Sequence, residues 1–235
     1  MDQKTVKALN QLNIDFYEKV HEYFNTSRQF NWAGWGKLLS YLPTQAGLKV
    51  LDVGCGNGRF GEFLIKNDKK IDYVGIDNNQ YLLDIAREKL PKAKLINQNI
   101  LKPIHLIKSF DLICLFGVLH HVPGKEIRLQ LLKALKKLLK PNGLLVFTNW
   151  HFNKFKRFNS YIVPFEKVGL KKEDVEENDY ILDWKKGVTA YRYCHLMDDN
   201  ELEEIKRKLK MKLVDKYVAD AKSGQGNEYV ILRNN

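Results

Sequence analysis

Cysteine is scarce in this chain, with three among 235 residues. Cys55, Cys114 and Cys194 are odd in number, widely spaced and form no Cys-x-x-Cys pair. That excludes a disulfide framework and a zinc knuckle, so no bound metal is expected, and buried thiols in a reducing compartment are the simplest reading. Long apolar runs are also missing, so no segment reads as a bilayer span. Met1–Lys7 leads straight into polar helix without a signal pattern, so a cytoplasmic protein with no membrane partner is expected. There is no internal repeat and no low-complexity linker. A hydrophobic share of 44% is enough to build a packed core, and the length suits one large α/β domain with terminal additions. Acidic residues are outnumbered 39 to 28, a net charge of +11. The excess favours an anionic partner such as RNA, or reflects a lysine-rich surface and nothing more.

What the chain does contain is alternation. Val6, Leu9, Leu12, Phe16, Val20 and Phe24 recur at spacings of three and four, which predicts an amphipathic helix over 4–24. A second helix is expected over 33–42, ending before Pro43. Strands are then expected at 48–53, 72–77, 93–97, 110–116 and 142–148, with helices at 58–67, 80–90 and 125–139. Strand, helix, strand in repetition implies parallel strands joined by right-handed crossovers. Residues 149–191 are aromatic and charged without a sustained period, and read as an elaboration over the open edge of a site. A helix at 198–209 and strands at 212–218 and 228–233 close the chain as an antiparallel hairpin at the sheet edge. The division is a single domain over 1–235. It has a helical extension at 1–47, a ligand-binding core at 48–148, a substrate-side insertion at 149–197 and a closing helix and hairpin at 198–235.

The run Val50-Leu-Asp-Val-Gly-Cys-Gly-Asn-Gly-Arg-Phe60 is the most informative stretch. An apolar strand ends in Asp52 and breaks into Gly54, Gly56 and Gly58, which let the backbone turn sharply against a ligand. The next helix points its N-terminal amides into that turn. Gly56-Asn-Gly58-Arg-Phe-Gly61 fits a dinucleotide fingerprint on its face. Asp52, two residues before the first glycine, argues otherwise: a carboxylate there repels a pyrophosphate and suits an ammonium. Asp77 ends the run Tyr73-Val-Gly-Ile-Asp, the place for an acid that holds ribose hydroxyls. Phe110-Asp-Leu-Ile-Cys-Leu-Phe116 leads into Leu119-His-His-Val-Pro123, and Leu138-Leu-Lys-Pro-Asn-Gly-Leu-Leu-Val-Phe147 supplies a helix end, a turn and a fifth strand.

In this order and spacing, residues 48–148 resemble the class I S-adenosylmethionine-dependent methyltransferases. The resemblance implies a Rossmann-like fold, a seven-stranded mostly parallel sheet with helices on both faces, and S-adenosyl-L-methionine as cofactor. Asp52 then faces the cofactor's amino group or the amides that position it, and Asp77 takes the ribose diol with help from Asn78. Asn99 with Ile100 stands where the family reads the adenine amino group, with Asn in place of the commoner Asp, and Phe116 ends the fourth strand. His120 and His121 lie in the loop after that strand, as a proton acceptor or as rim residues packing on cofactor and substrate.

The flanks resemble a narrower family, the methyltransferases of the carboxymethyl group on the wobble uridine of tRNA, including the methyltransferase half of an AlkB-type homologue. Phe24, Arg28 and Trp32 match one of its elements, and Arg192, Tyr193, His195, Glu201 and Leu202 another. The tail Gly226-Asn-Glu-Tyr-Val-Ile-Leu232 resembles its last strand, with Glu228 in place of the usual Trp. The resemblance implies tRNA as partner, Arg28 on the cofactor, and a small zinc-binding activator protein that works with eukaryotic relatives. A carboxymethyl group is already a carboxylate, so its esterification needs cationic orientation and no base. Arg192 is the candidate on the substrate side. For Arg192 and His195 the alternative is a structural cap joining the insertion to the last helix. Asn149, Trp150 and His151 stand where a base could be stacked or hydrogen-bonded. His151-Phe-Asn-Lys-Phe-Lys-Arg157 interleaves aromatics with charge as single-stranded RNA sites do, or is an amphipathic helix with buried phenylalanines. The stretch Lys206, Arg207, Lys208, Lys210, Lys212 is a solvated helix face or a tRNA backbone contact. Methyl transfer to a small metabolite by the same core, and a non-catalytic cofactor- or RNA-binding protein, are the competing readings.

Overall fold

The computed structural model describes residues 1–44, 47–107 and 109–235, without the side chains of Arg157 and Lys186. The helices are α1 (Gln3–Ser27), α2 (Ala33–Leu38), α3 (Arg59–Lys66), α4 (Gln80–Lys89), α5 (Lys125–Lys136), α6 (Lys156–Asn159) and α7 (Asp199–Leu209). The strands are β1 (Leu48–Val53), β2 (Ile71–Asp77), β3 (Lys94–Asn97), β4 (Phe110–Leu115), β5 (Leu139–Trp150), β6 (Ile162–Val163), β7 (Asp179–Lys186), β8 (Val188–His195), β9 (Lys212–Ala219) and β10 (Asn227–Arg233). Seven of them form one sheet in the order β3-β2-β1-β4-β5-β10-β9. β1 to β5 run parallel, and β10 is antiparallel to both β5 and β9. This is the doubly wound sheet the alternation implies, with the closing hairpin at its edge. Among the described residues no helix is long and apolar enough to cross a membrane.

Strand periodicity builds the two core layers. On β1, Leu51 and Val53 point to the face covered by α5 and α7, where Leu132 and Ile205 are buried. Leu48 and Val50 point to the opposite face, against Trp35 of α2 and Leu64 of α3. Burial on both faces is what a parallel sheet requires, and it explains the continuous apolar reading of these strands. β5 begins earlier than expected, at Leu139. Asn142 takes the left-handed conformation (φ +61°), and the register with β4 slips between Phe110 and Leu112. The Pro-Asn-Gly turn is therefore a bulge inside the strand rather than its beginning.

Residues 149–191 are more ordered than their pattern suggested. β6, β7 and β8 form a separate antiparallel sheet, turned at Gly187 (φ +79°). α1 packs on β8: Leu9 meets Ile181 and Tyr193, and Phe16 and Val20 meet Ala190. Asp2 caps α1 by accepting from the Thr5 amide at 2.7 Å. Asn13, buried inside α1, accepts from the Tyr193 amide at 2.8 Å and donates to the Tyr193 and His121 carbonyls at 3.2 and 3.1 Å. Helix and small sheet together roof the carboxyl ends of β1 and β4. The segment 151–157 is not an amphipathic helix. Phe152 is buried in a single 3-10 turn, Phe158 sits on the one-turn α6, Lys154 and Lys156 are exposed, and the Arg157 side chain lies outside the described residues.

A buried charge network fastens this roof to the sheet. Arg128 of α5, with no exposed surface, donates to Glu201 at 2.7 Å and to Glu176 at 3.1 Å. His195 is held between Asp179 at 2.8 Å and Glu201 at 2.7 Å, and Tyr193 donates to Asp179 at 2.7 Å. Hydrogen bonds from His195 and the neighbouring Arg128 hold the Glu201 carboxyl down at about 2 despite burial. The two carboxylates raise His195 above its ordinary 6.5 against the burial penalty. Arg128→Ala strands the buried Glu201 and the half-buried Glu176, so it is expected to lower the unfolding free energy by about 3–5 kcal/mol in urea titration. The sign of the pH dependence follows from linkage. Glu201's contribution is full above its ordinary 4.5 and fades as pH falls towards 2, whereas that of His195 is full below 6.5 and fades as pH rises through its elevated value. The Glu201–His195 pair is therefore expected to contribute most to stability between about pH 4.5 and 6.5.

Candidate active site

The site begins where β1 and β2 end. Gly54 and Cys55 both donate to the Ile76 carbonyl, at 2.7 and 3.0 Å, which bends the chain back over β2. Gly54 has φ +76°, and a Cβ there would collide with Val118. Asp77 then fixes the turn: its Oδ2 accepts from the Gly56 amide at 2.8 Å and its Oδ1 from the Asn79 amide at 2.9 Å. Each oxygen keeps a lone pair for a ligand hydroxyl. Gly58 plays another part. It does not line the cleft, and a Cβ there would press on Ala86 and Leu90 of the α4 end, so its absence lets α3 and α4 pack closely. The Asn57 amide holds the end of α1 by donating to Asn25 at 2.8 Å.

Two communicating recesses lie over this turn. The smaller, about 130 Å³, is lined by Asp77, Asn78, Asn99, Ile100 and Phe116. The larger, about 650 Å³, is lined by Arg28, Asp52, Arg59, Trp150 and Arg192. Tyr17, Gly54, Gly56 and His121 border both. Asn99 has its carbonyl partly engaged, accepting from the Leu101 amide at 2.9 Å. The expected cofactor residues other than Gly58 thus surround one continuous cleft.

Asp52 is buried and accepts from the Tyr73 hydroxyl at 2.6 Å, with the Cys114 thiol at 3.5 Å. Burial pushes its carboxyl up to about 6, although both donors favour the charge. Arg28 ends α1 over the Phe24 ring at 5.1 Å, with its acidity raised by burial. Arg59 lies over Trp32 and Trp35 and is lowered to about 10 by burial and by Arg28. The guanidinium carbon of Arg192 stands 4.7 Å from the Trp150 ring centre, 5.2 Å from Phe16 and 5.9 Å from Trp184. Among the described residues, no carboxylate lies within ion-pair distance of Arg28 or Arg192.

Proton acceptors are poor here. His121 bonds to the Tyr193 carbonyl through Nδ1 at 2.8 Å and to the Tyr17 hydroxyl through Nε2 at 2.9 Å. Burial and the nearby Arg192 push it down to about 3, and His120 is also pushed well below its ordinary range. His121 is therefore a neutral rim residue engaged at both nitrogens, not a poised base. His195 and Asn149 are corrected as well. Neither lines the cleft: His195 is spent in the Arg128 network, and Asn149 is buried with its amide donating to the Met197 carbonyl at 2.7 Å. His120, His121 and Cys194 come within 4.8 Å of one another, as do Glu176, Asp179 and His195. In the first group both nitrogens of His121 are already bonded and Arg192 is adjacent; in the second Glu176 is paired with Arg128 and Asp179 with His195 and Tyr193.

Asn13, Tyr17, Tyr73 and Arg59 were missed from sequence. Tyr17 flanks an apolar helical stripe, and Tyr73 sits in an apolar strand, so neither carries a local signal. Arg59 stood in plain sight at the start of α3, but its role depends on Trp32 arriving from another segment.

A methyltransferase-domain family model matches residues 51–145, the β1 to β5 region that carries this cleft. The chain is 30% identical to the ubiquinone biosynthesis O-methyltransferase of Coxiella burnetii, over 68% of this chain and 73% of that protein. It is 31% identical to the tRNA (carboxymethyluridine(34)-5-O)-methyltransferase ALKBH8 of Mus musculus, over 57% of this chain and 19% of that protein. A SAM-dependent methyltransferase from Methanosarcina mazei superposes with a TM-score of 0.66 at 18% identity, covering 84% of this chain and 96% of that one. The chain belongs to the class I S-adenosylmethionine-dependent methyltransferases. It spans between 19% and 37% of the length of the first-matched relatives named for tRNA methylation.

The cleft of this methyltransferase fits S-adenosylmethionine. Gly56 leaves the space beside the turn nearly open, Gly54 borders both recesses, Asp77 lines the smaller recess and Asp52 the larger one. An ammonium group favours charged Asp52, so cofactor affinity is expected to rise with pH through about 6 and then level. Calorimetry at pH 5 to 8 tests this, and Asp52→Asn is expected to flatten the profile. Asp77→Ala removes two acceptor oxygens at the smaller recess and the anchor of the Gly56 amide together, so it is expected to weaken cofactor binding at least roughly tenfold.

Proposed function

We propose that this methyltransferase esterifies the carboxylate of a carboxymethylated wobble uridine in tRNA. The observation that carries the reading is Arg192: a guanidinium at the cleft, ringed by Trp150, Phe16 and Trp184, with no carboxylate of its own among the described residues. Cation–π contacts hold its carbon in place without consuming the forked N–H donors. Those donors match a carboxylate. S-adenosylmethionine supplies an electrophilic methyl group on a sulfonium when bound. Asp77 holds the ribose, Asn99 and Ile100 the adenine, and Arg28 the cofactor carboxylate. Arg192 aligns the acceptor carboxylate. A carbon–oxygen bond forms as the carbon–sulfur bond breaks, and no proton moves. This suits a cleft whose histidines are held neutral and whose nearest carboxylates serve cofactor and fold. In-line alignment in a partly closed site is then the main contribution of the protein. The three buried, unpaired cysteines suit a reducing compartment such as the cytoplasm.

The match to the Coxiella burnetii protein supports a second reading, transfer to a hydroxyl of a small metabolite. That acceptor must lose a proton, for which a group held at about 3, such as His121, is a weak base.

The deciding experiment is transfer of labelled methyl to tRNA bearing carboxymethyluridine, with nucleoside mass spectrometry, alone and with a small zinc-binding activator protein. A methyl ester on the wobble uridine is expected. Transfer only to a phenolic metabolite overturns the tRNA reading. Arg192→Ala is expected to lower kcat/KM by at least roughly a hundredfold while sparing cofactor affinity. Arg192→Lys, which keeps the charge and loses the fork, is expected to recover only part of the loss.

A further inference from the structure

The turn between β9 and β10 is shaped by more than the need to close a hairpin. Asp220 and Ala221 are consecutive residues in the left-handed region, at φ +70° and +56°. Aspartate tolerates that region through its own side chain; alanine has no such compensation. The conformation is imposed by the buried Asp220 carboxylate. It accepts from the Gly34 amide at 2.9 Å, the Asn227 side-chain amide at 2.9 Å and the Tyr229 hydroxyl at 2.8 Å. The Asp220 carbonyl also accepts from the Gly226 amide at 3.1 Å. The turn is thereby fixed to the start of α2 and to β10, and its path runs along the larger recess. Ala221, Lys222, Gly226 and Asn227 all line that recess together with Arg28 and Arg192. Lys222 is exposed, and among the described residues no carboxylate pairs with it. Strain held in place by a buried anchor beside a cleft is the pattern of a ligand-contacting loop.

We propose that this turn is a nucleic-acid backbone clamp, in which Lys222 meets a phosphodiester of the strand that carries the acceptor nucleotide. The assignment rests on the tRNA reading above and extends it to a residue that no sequence motif marked. The chemistry separates the cations of this recess. Arg28 and Arg192 are half-buried guanidiniums held by aromatic rings, suited to planar carboxylates. Lys222 is a flexible point charge on an exposed turn, suited to the diffuse negative charge of a phosphate that need not present one fixed geometry. A nucleotide placed with its base substituent at Arg192 brings phosphates on both sides to the mouth of the same recess. A small metabolite brings none.

The test compares Lys222→Glu with the unaltered protein on two acceptors, tRNA bearing wobble carboxymethyluridine and the free 5-carboxymethyluridine nucleoside, which has no phosphate. On tRNA the variant is expected to raise KM roughly tenfold. It is also expected to shallow the slope of log KM against log salt by about one. On the nucleoside the loss is expected to be several-fold smaller. Lys222→Arg is expected to restore most of the tRNA KM, and calorimetric cofactor affinity reports whether the fold is kept. Equal losses on both acceptors, or an unmoved KM and salt slope on tRNA, overturn the clamp while leaving the tRNA reading standing. Methylation by the unaltered protein of a phenolic metabolite and of neither uridine acceptor overturns both.

Discussion

The cleft depends on one side-chain amide. Asn13 lies in α1, 180 residues from Tyr193 and 108 from His121, yet it bonds the main chain at both. β8 is an edge strand of the small sheet, so the Tyr193 N–H and C=O face away from β7 and need partners. A carboxamide is the side chain that offers a donor and an acceptor together, and Asn13 satisfies both groups as a neighbouring strand would. The same donor group also reaches the loop after β4, where His121 adds its own bond to the Tyr193 carbonyl. Three segments that the sheet alone would leave apart are closed over the glycine turn. Because α1 is rigid between Asn13 and its end, the clamp also sets where Tyr17, Phe24 and Arg28 arrive.

The contrast between Arg128 and Arg192 shows how burial of the same group serves two ends. Arg128 is fully buried and compensated by Glu201 and Glu176, so its charge is spent on holding the roof. Arg192 is one strand register away from the same network, on β8, but its surroundings are rings rather than acids. An aromatic face lowers the cost of partial desolvation without supplying a counter-ion. Burial pushes the neighbouring His120 and His121 down, and the Arg192 charge adds to it. The same burial that leaves Arg192 without a carboxylate keeps the nearby histidines neutral.

Sequence legibility followed the locality of the cause. The glycine turn, Asp52 and Asp77 were readable because strand-end register alone places them at the carboxyl edge of the sheet. Phe116, Asn99 and Arg28 reach the same cleft. Gly58 was assigned to the ligand because it belongs to the same string as Gly54 and Gly56, but its small size serves helix packing. His195 and Asn149 were misplaced for a shared reason. Both lie at the ends of strands whose neighbouring residues do line the cleft, and a period-two strand sends adjacent residues to opposite sides. The register that separates Arg192 from His195 was invisible, because the β7–β8 hairpin buries side chains on both faces, Ile181 and Tyr193 on one and Leu182 and Cys194 on the other, so no single apolar face marks it. Asn13 and Tyr73 act through partners far away in sequence, and no local pattern could announce them.

Net charge illustrates why location decides function. α7 carries three basic residues against four acidic ones, so it adds nothing to the +11 total, and Lys206 is paired with Glu203 at 2.7 Å and Lys208 with Glu204 at 2.7 Å. Pairs of this kind at an exposed helix surface contribute little beyond solubility, and their field is largely cancelled at short range. The cleft cations are fewer but uncancelled, and the low-dielectric walls around them concentrate their field. Where the fold leaves a guanidinium without a carboxylate therefore says more than the total charge. At the cleft Arg28 and Arg192 have no ion-pair partner among the described residues, although Asp52 and Asp77 line the same cleft, while on α7 Lys206 and Lys208 are already paired with glutamates.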